Sequence, residues 1–455
     1  MKKQWMGAAV AALSLLCACS GTGAGAGSVR ALPASDAYAE TPSSNVPLKH
    51  IVIIIQENRS FDNIFSGYPA AVSASSGPMS NGTIVPFHQV QFANETDMFH
   101  NWKAANQGLD HGKMDGFDKN LTGTGSSKPV GAYPYAYLER SQVAPYWAMA
   151  GQYVLADHLF PAMLGGSFTA HLDLIAATTD LQPDLSELDF PTGQPWGCDA
   201  PGGTVTSLLT AKRHALYNKG PFPCFKQFST LADTLDAAHV SWKYYAPAIK
   251  GGDPGAIWSE FSAVRHVRYG PDWANVVSPS STVLTDAANG TLPGVSWVIP
   301  DWVDSDHPGS NSDTGPSWVS AVVNAVGQGK DWNDTAIVVV WDDWGGWYDN
   351  VPPPQLDWKG LGIRVPGIVI SPYAKKGYVS HTQYEFGSII KLVEESFGLG
   401  VIGPSSFGYT DTRANSMLDS FDFTQKPRAF TAIPAKYPAS HFMNEKPSML
   451  APDDD

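Results

Sequence analysis

The stretch His50-Ile51-Val52-Ile53-Ile54-Ile55-Gln56-Glu57-Asn58-Arg59-Ser60-Phe61-Asp62 decides how the rest of the chain is read. Its five consecutive β-branched residues offer no polar face at a period of two. Such a run reads as a strand covered on both sides, as in a parallel sheet wrapped by helices. Glu57 and Asn58 follow at once, so this strand delivers polar groups where it leaves the core.

Comparable runs recur downstream: Tyr153-Val154-Leu155-Ala156, Val295-Ser296-Trp297-Val298-Ile299, Ala336-Ile337-Val338-Val339-Val340-Trp341, and residues 363–371. Between them, residues 138–151, 229–239, 317–326 and 384–397 carry helical patterns, with Ser229 and Thr230 as capping hydroxyls for the second. Strands alternating with helices predict an α/β fold, a largely parallel central sheet flanked by helices. Residues 66–135 and 180–290 are richer in Gly and Pro and less periodic. They are expected to be loop-rich insertions capping the site end of the sheet, not separate domains. The folded domain is expected over 48–400 and an irregular segment over 401–455, ending in the acidic Asp453-Asp454-Asp455.

The N-terminus reads as an export signal. Lys2 and Lys3 precede an apolar run over 6–16 that is too short to anchor in a membrane. Leu16-Cys17-Ala18-Cys19 has the form of a lipobox, so residues 1–19 are expected to be a lipoprotein-type signal peptide with lipid on Cys19. Ordinary cleavage further along the Gly/Ala/Ser stretch is the alternative. Residues 20–47 have linker composition and are expected to be a flexible tether. The expected location is the periplasm or outer membrane of a bacterium, or the medium.

An exported chain with two further cysteines, Cys198 and Cys224, is expected to join them, closing a 26-residue loop worth about 3–4 kcal/mol. A zinc pair there lacks partner spacing. With 455 residues, 43% apolar, the chain can bury a large core. Its formal charge of −14 argues against a nucleic-acid partner, because no broad basic surface is available to a phosphate backbone. A small phosphorylated substrate is compatible with that charge when a metal ion inverts the local field.

Acidic residues cluster after the strands: Glu57 and Asn58 after the first, Asp342 and Asp343 after 336–341, and Asp301, Asp304 and Asp306 after 295–299. In open α/β sheets ligands bind at the carboxyl ends of strands. Several carboxylates meeting there are costly unless a cation neutralises them, which points to a divalent metal. Gly345 and Gly346 let backbone approach a ligand closely. Asp157-His158 leads to Leu164-Gly165-Gly166-Ser167-Phe168-Thr169-Ala170-His171, in which Ser167 stands before a helix expected over 172–177. Ser167 there is either a nucleophile facing an anionic phosphate or simply an N-cap. No G-x-S-x-G elbow surrounds it, which disfavours an α/β-hydrolase. His100, His111, His171 and His307 lie beside acids or glycines in expected polar loops, with His307 best placed. No H-E-x-x-H is present, so a zincin is excluded.

These residues resemble those of the bacterial phosphoesterase family of phospholipases C and AcpA-type acid phosphatases. The resemblance rests on E-N-R-S-F-D at 57–62, G-K-M-D-G-F at 112–117 and G-G-S-F-T-A-H-L at 165–172. It continues through S-D-H-P at 305–308 and W-D-D-W-G-G-W-Y-D-N-V-P-P-P at 341–354. The motifs run in family order over about 48–400. The resemblance implies an alkaline-phosphatase-like fold and a divalent metal ion held by Glu57, Asn58, Asp342, Asp343 and Ser167. It also implies catalytic roles for Ser167, His100 and His307, with Ser167 attacking phosphorus and water resolving a phosphoserine. Three departures stand out: Asp343 where many relatives have Glu, Asn350 where many have His, and Thr169-Ala170 in place of Pro-Asn. The substrate it implies is a phosphate monoester or a phospholipid. A non-catalytic ligand-binding surface lipoprotein is the competing reading, and it predicts no metal dependence.

Overall fold

The run of β-branched residues becomes strand β1, His50–Gln56, buried from Ile51 onward. The computed structural model describes residues 46–123, 128–248 and 258–450. The signal peptide, the Cys19 anchor, nearly all of the tether and the Asp453-Asp454-Asp455 tail lie outside the described residues. Each fully buried Ile or Val of β1 contributes roughly 1.5–3 kcal/mol. An aspartate in place of Ile53 would put an unpaired charge between two covered faces.

Eight further strands join β1 in one mixed sheet: β2 Val154–Phe160, β3 Trp242–Tyr245, β4 Val276–Val277, β5 Val295–Val298, β6 Thr335–Trp341, β7 Val365–Ile370, β8 Tyr378–Ser380 and β9 Tyr384–Glu385. Their order is β4-β3-β5-β1-β6-β7-β2-β8, with β9 also pairing β2. All pairings are parallel except those of β7, which runs against both β6 and β2. The expected α/β fold with a largely parallel sheet is what the chain adopts.

Register is the feature that builds the site. Gln56 pairs with Trp341, so β1 and β6 end at the same height. Val298 of β5 pairs with Ile54 on the other side of β1. Three adjacent strands therefore release their next residues along one edge of the sheet. Helices with buried faces accompany it, among them α1 Ala144–Gln152, α2 Ser167–Ala176, which is buried throughout, α3 Gly315–Gln328 and α4 Phe386–Phe397.

Several expected boundaries move. The helix expected over 138–151 starts only at Ala144, where Pro145 is accommodated in the first turn, and Ala136–Leu138 is extended. Tyr384 and Glu385 pair with β2, so that helix starts at Phe386. The strand expected over 153–156 continues to Phe160, which places Asp157 and His158 inside it. Residues 180–290 are more than an insertion. They form a four-stranded antiparallel sheet and also supply β3 and β4 to the central one. The 229–239 helix is observed as Leu231–Ala237, with a capping box between Thr230 and Asp233. Cys198 and Cys224 form a disulfide, as expected. Past residue 400 the chain is mostly turns and short helices, yet Phe421, Ile433 and Phe442 are buried.

Candidate active site

Because β1 and β6 end level, Glu57 and Asp342 emerge side by side. The Asp342 amide donates to the Gln56 carbonyl (3.0 Å). The Asn58 amide donates to Asp342 Oδ1 (3.1 Å) across the same gap. Asn58 adopts a left-handed backbone, φ 58°, which turns the chain sharply away from the strand. Gly345, at φ 59°, lies against it: a Cβ there would stand 2.1 Å from the Asn58 carbonyl oxygen.

The third contributor is α2. It starts at Ser167 itself, with Gly166 as its extended N-cap, and not at 172 as the sequence suggested. Ser167 and His171 are thus one turn apart on one helix face, and both point at the acids. His171 Nε2 is 2.9 Å from Glu57 Oε1 and 3.8 Å from Asp342 Oδ2. Ser167 Oγ donates to Asp343 Oδ2 at 3.4 Å, and the Gly345 amide donates to Asp343 Oδ1 at 2.8 Å. His171 is a buried helical residue, contrary to the polar loop expected for it.

His100 and His307 complete the cluster. The Asn58 carboxamide lies 2.8 Å from His100 Nε2 and 3.0 Å from His307 Nε2. Its other end faces Asp342 Oδ1 (3.1 Å) and Glu57 Oε2 (3.0 Å). Nδ1 of each imidazole faces a backbone carbonyl, Met98 for His100 and Pro308 for His307. A carbonyl only accepts, so Nδ1 carries the proton and a neutral ring presents a bare Nε2. Two self-consistent arrangements follow. With neutral rings the Asn58 NH₂ faces the imidazoles and its oxygen joins the carboxylates, which a cation alone makes favourable. With charged rings the amide reverses, and its nitrogen serves the carboxylates.

His307 is held from behind. Arg59 donates to the Asp306 carbonyl from Nε (2.8 Å) and Nη2 (2.5 Å), and pairs with both oxygens of buried Glu95. Asp306 Oδ2 accepts from Tyr146 Oη (2.6 Å) and Trp341 Nε1 (3.2 Å). Trp258 lies nearly parallel to His171 and His307, with centroids 6.4 Å and 6.0 Å away. Trp344 Nε1 donates to the His100 carbonyl (3.1 Å).

The electrostatics are those of crowded, dry acids. Burial, then the charges of Asp342 and Asp343, pushes Glu57 well above the usual carboxylate range. Burial and the Asp342 charge do the same to Asp343. Burial pushes His171 down to about 4, so its ring is neutral at pH 7. Asp342 Oδ2 is buried with no hydrogen-bond donor among the described residues. Glu57, His171 and Asp342 each offer a ligand atom, and these lie within 4.8 Å of one another. Two carboxylates and a neutral imidazole around an orphaned oxygen fit a divalent cation.

The structure thus brings Glu57, Asn58, His100, Ser167, His307, Asp342 and Asp343 to one place. His111 lies elsewhere, exposed beside a pocket lined by Arg213, Pro352 and Gln355. Asn350 is engaged by Arg364 (2.9 Å), whose buried guanidinium also serves Asp62, Asp349 and the backbone carbonyls of Val72 and Asp157. Sequence reasoning missed the functional position of His171, whose signal was its four-residue spacing from Ser167. It also missed Trp258 and the Arg59–Glu95 pair, for which no local pattern exists.

A profile of the Phosphoesterase family matches residues 48–400. The chain is 27% identical over 435 residues to the non-hemolytic phospholipase C of Pseudomonas aeruginosa, covering 83% of this chain and 57% of that one. It is 25% identical over 447 residues to phospholipase C B of Mycobacterium tuberculosis, covering 85% and 80%. The chain therefore spans less than two thirds of the Pseudomonas relative's length. Among solved structures, a protein in the alkaline phosphatase superfamily from Vibrio parahaemolyticus is similar over 84% of this chain and 73% of that one, with 12% identity and a TM-score of 0.37.

Proposed function

The chain belongs to the Phosphoesterase family, and on that premise we propose that it hydrolyses phosphoric esters through Ser167 with the aid of a divalent metal ion. One observation carries the reading: the Ser167 hydroxyl, a buried acid cluster and two imidazoles converge where three strands end. A hydroxyl at the N-terminus of a ten-residue helix also suits an anionic phosphate.

Glu57, Asn58, Asp342 and Asp343 would hold the cation, together with Ser167 and with His171 as a nitrogen donor. Bound there, it would supply positive charge for ionising the hydroxyl and for the transferring oxygens. The rest falls to the chain's own groups. Ser167 Oγ forms a bond to phosphorus while its proton passes towards Asp343. The ester P–O bond breaks, and an imidazolium of His100 or His307 protonates the leaving oxygen. Water then attacks the phosphoserine, giving its proton back to the imidazole, and Ser167 regains its own.

The relatives named above are phospholipases C, which favours a phospholipid headgroup diester over a phosphate monoester. An exported enzyme, tethered through Cys19 or released, would meet such a substrate. The test is turnover of p-nitrophenyl phosphorylcholine and p-nitrophenyl phosphate by wild type and Ser167→Ala. Loss of the nucleophile is expected to lower turnover about 10³-fold or more without altering the circular dichroism. Undiminished turnover by Ser167→Ala removes the nucleophile, and preference for the monoester selects the acid-phosphatase alternative.

A further inference from the structure

Asp157, His158 and His381 form a cluster that the proposed chemistry does not use. Asp157 lies in the middle of β2, two strands from β6 in the order β6-β7-β2, which is about 10 Å across the sheet. Its carboxylate is fully buried and divided between two rings. His158 Nδ1 stands 2.6 Å from Oδ1, and His381 Nδ1 stands 2.8 Å from Oδ2, which also accepts from the Val72 amide (2.8 Å). The backbone fixes this approach, because β8 and β9 both pair with β2 and His381 lies in the short turn between them.

The geometry points to a second, peripheral site for a zinc-class divalent cation, held by one Asp157 oxygen and the Nδ1 atoms of His158 and His381. Three features carry this. One ligand atom from each residue already lies within 4.8 Å of the other two. Two imidazole nitrogens and a carboxylate oxygen form a donor set that zinc, cobalt, nickel and copper favour. Finally, the ion pairs of Asp157 among the described residues are with these two rings, so no lysine or arginine competes for the carboxylate. Burial alone would raise the Asp157 carboxyl, but the His158 contact and the Val72 amide outweigh it and hold it below the usual range.

Binding would displace the proton from each Nδ1, and each ring would be protonated at Nε2 in its place, so that both imidazoles ligate as neutral rings. The 2.6 Å separation of His158 Nδ1 from Asp157 Oδ1 would also open to about 3.3 Å, the edge of a tetrahedron with zinc-length bonds. The His381 side chain is 56% exposed and that of His158 24%, which leaves an entry path and room for a water ligand. A cation here would tie the β8–β9 turn to β2.

The experiment counts zinc by mass spectrometry in the full chain after equilibration with Zn²⁺ and gel filtration. Wild type is compared with His158→Gln/His381→Gln and with Asp342→Asn. Glutamine still donates to Asp157, so the fold has its hydrogen bonds while the imidazole ligands are gone. The double variant is expected to retain one zinc fewer per chain than wild type and to keep its turnover of p-nitrophenyl phosphorylcholine. In the Asp342→Asn background, Zn²⁺ is expected to raise the thermal midpoint, and adding His381→Gln alone to weaken that response at least about tenfold in zinc concentration. Equal zinc content in wild type and double variant, or an unchanged zinc response on adding His381→Gln, overturns the site. Neither the zinc content nor the thermal response to Zn²⁺ depends on Ser167 or on the substrate, so the phosphoesterase reading stands or falls separately.

Discussion

Replacing Arg59 by Met is expected to destabilise the protein by about 3–5 kcal/mol, the usual cost of orphaning one partner of a buried ion pair. The structure explains why the effect is at that scale. Arg59 is fully buried, and it pairs with Glu95 through Nη1 (2.8 Å) and Nη2 (2.5 Å). The same guanidinium donates twice to the Asp306 carbonyl and lies 4.9 Å from the Phe92 ring centroid. Methionine keeps much of the packing and removes every donor. Burial already outweighs Arg59 and raises the Glu95 carboxyl above its ordinary value, so without the guanidinium that acid must be buried charged or take up a proton. Adding Glu95→Gln to Arg59→Met removes the orphaned charge and is expected to recover about 2 kcal/mol or more, though the Asp306 carbonyl still lacks donors. Urea unfolding followed by tryptophan fluorescence reads both differences, provided the dependence on urea is unchanged. The reasoning is refuted if Arg59→Met costs less than about 1 kcal/mol, or if the double variant is no more stable than the single one.

Gly345→Ala forces a Cβ against the Asn58 carbonyl, whereas Gly112→Ala, at φ 90° with nothing within 4 Å, meets backbone strain alone. The second is expected to cost about 1–2 kcal/mol and leave turnover intact, the first to cost more and lower turnover; equal losses of activity would contradict the close approach. Exhaustive chelation is expected to abolish ester hydrolysis, with recovery on adding divalent metal, and an active metal-free protein confirmed by elemental analysis would remove the cation from the mechanism. Burial raises Glu187 from 4.5 to about 8 in the folded chain. Between those values the folded state binds the extra proton, so the contribution of Glu187 to stability is fully present below about pH 4.5 and is lost as pH rises through about 8. Glu187→Gln is expected to flatten that decline in urea midpoints measured from pH 5 to 8, and a wild-type slope retained by the variant would show that Glu187 does not titrate this way.

By itself the sequence determined the fold class and most of the site's membership. Runs such as Ile51 to Ile55 and Val338 to Val340 lack a polar face, and only a sheet covered on both sides can bury them. Carboxylates placed just past such runs must gather at the strand ends, so Glu57, Asp342 and Asp343 were legible as a group; the motifs at 165–172 and 305–308 added Ser167 and His307, and the family resemblance added His100. Where each element starts was less legible. Pairing in the central sheet carried β2 on through Asp157 and His158 and made Tyr384 and Glu385 the strand β9, against their local patterns, and the start of α2 at Ser167 depended on Gly166 adopting an extended N-cap. That one boundary hid His171, because a residue's facing is undefined until the helix register is set. Only the tertiary structure decided that Gln56 and Trp341 pair, that Trp258 lies alongside His171 and His307, and that His381 meets Asp157 from 224 residues away. Periodicity reports the face a residue buries, whereas contacts between distant segments depend on strand order and register, which no local stretch of sequence encodes.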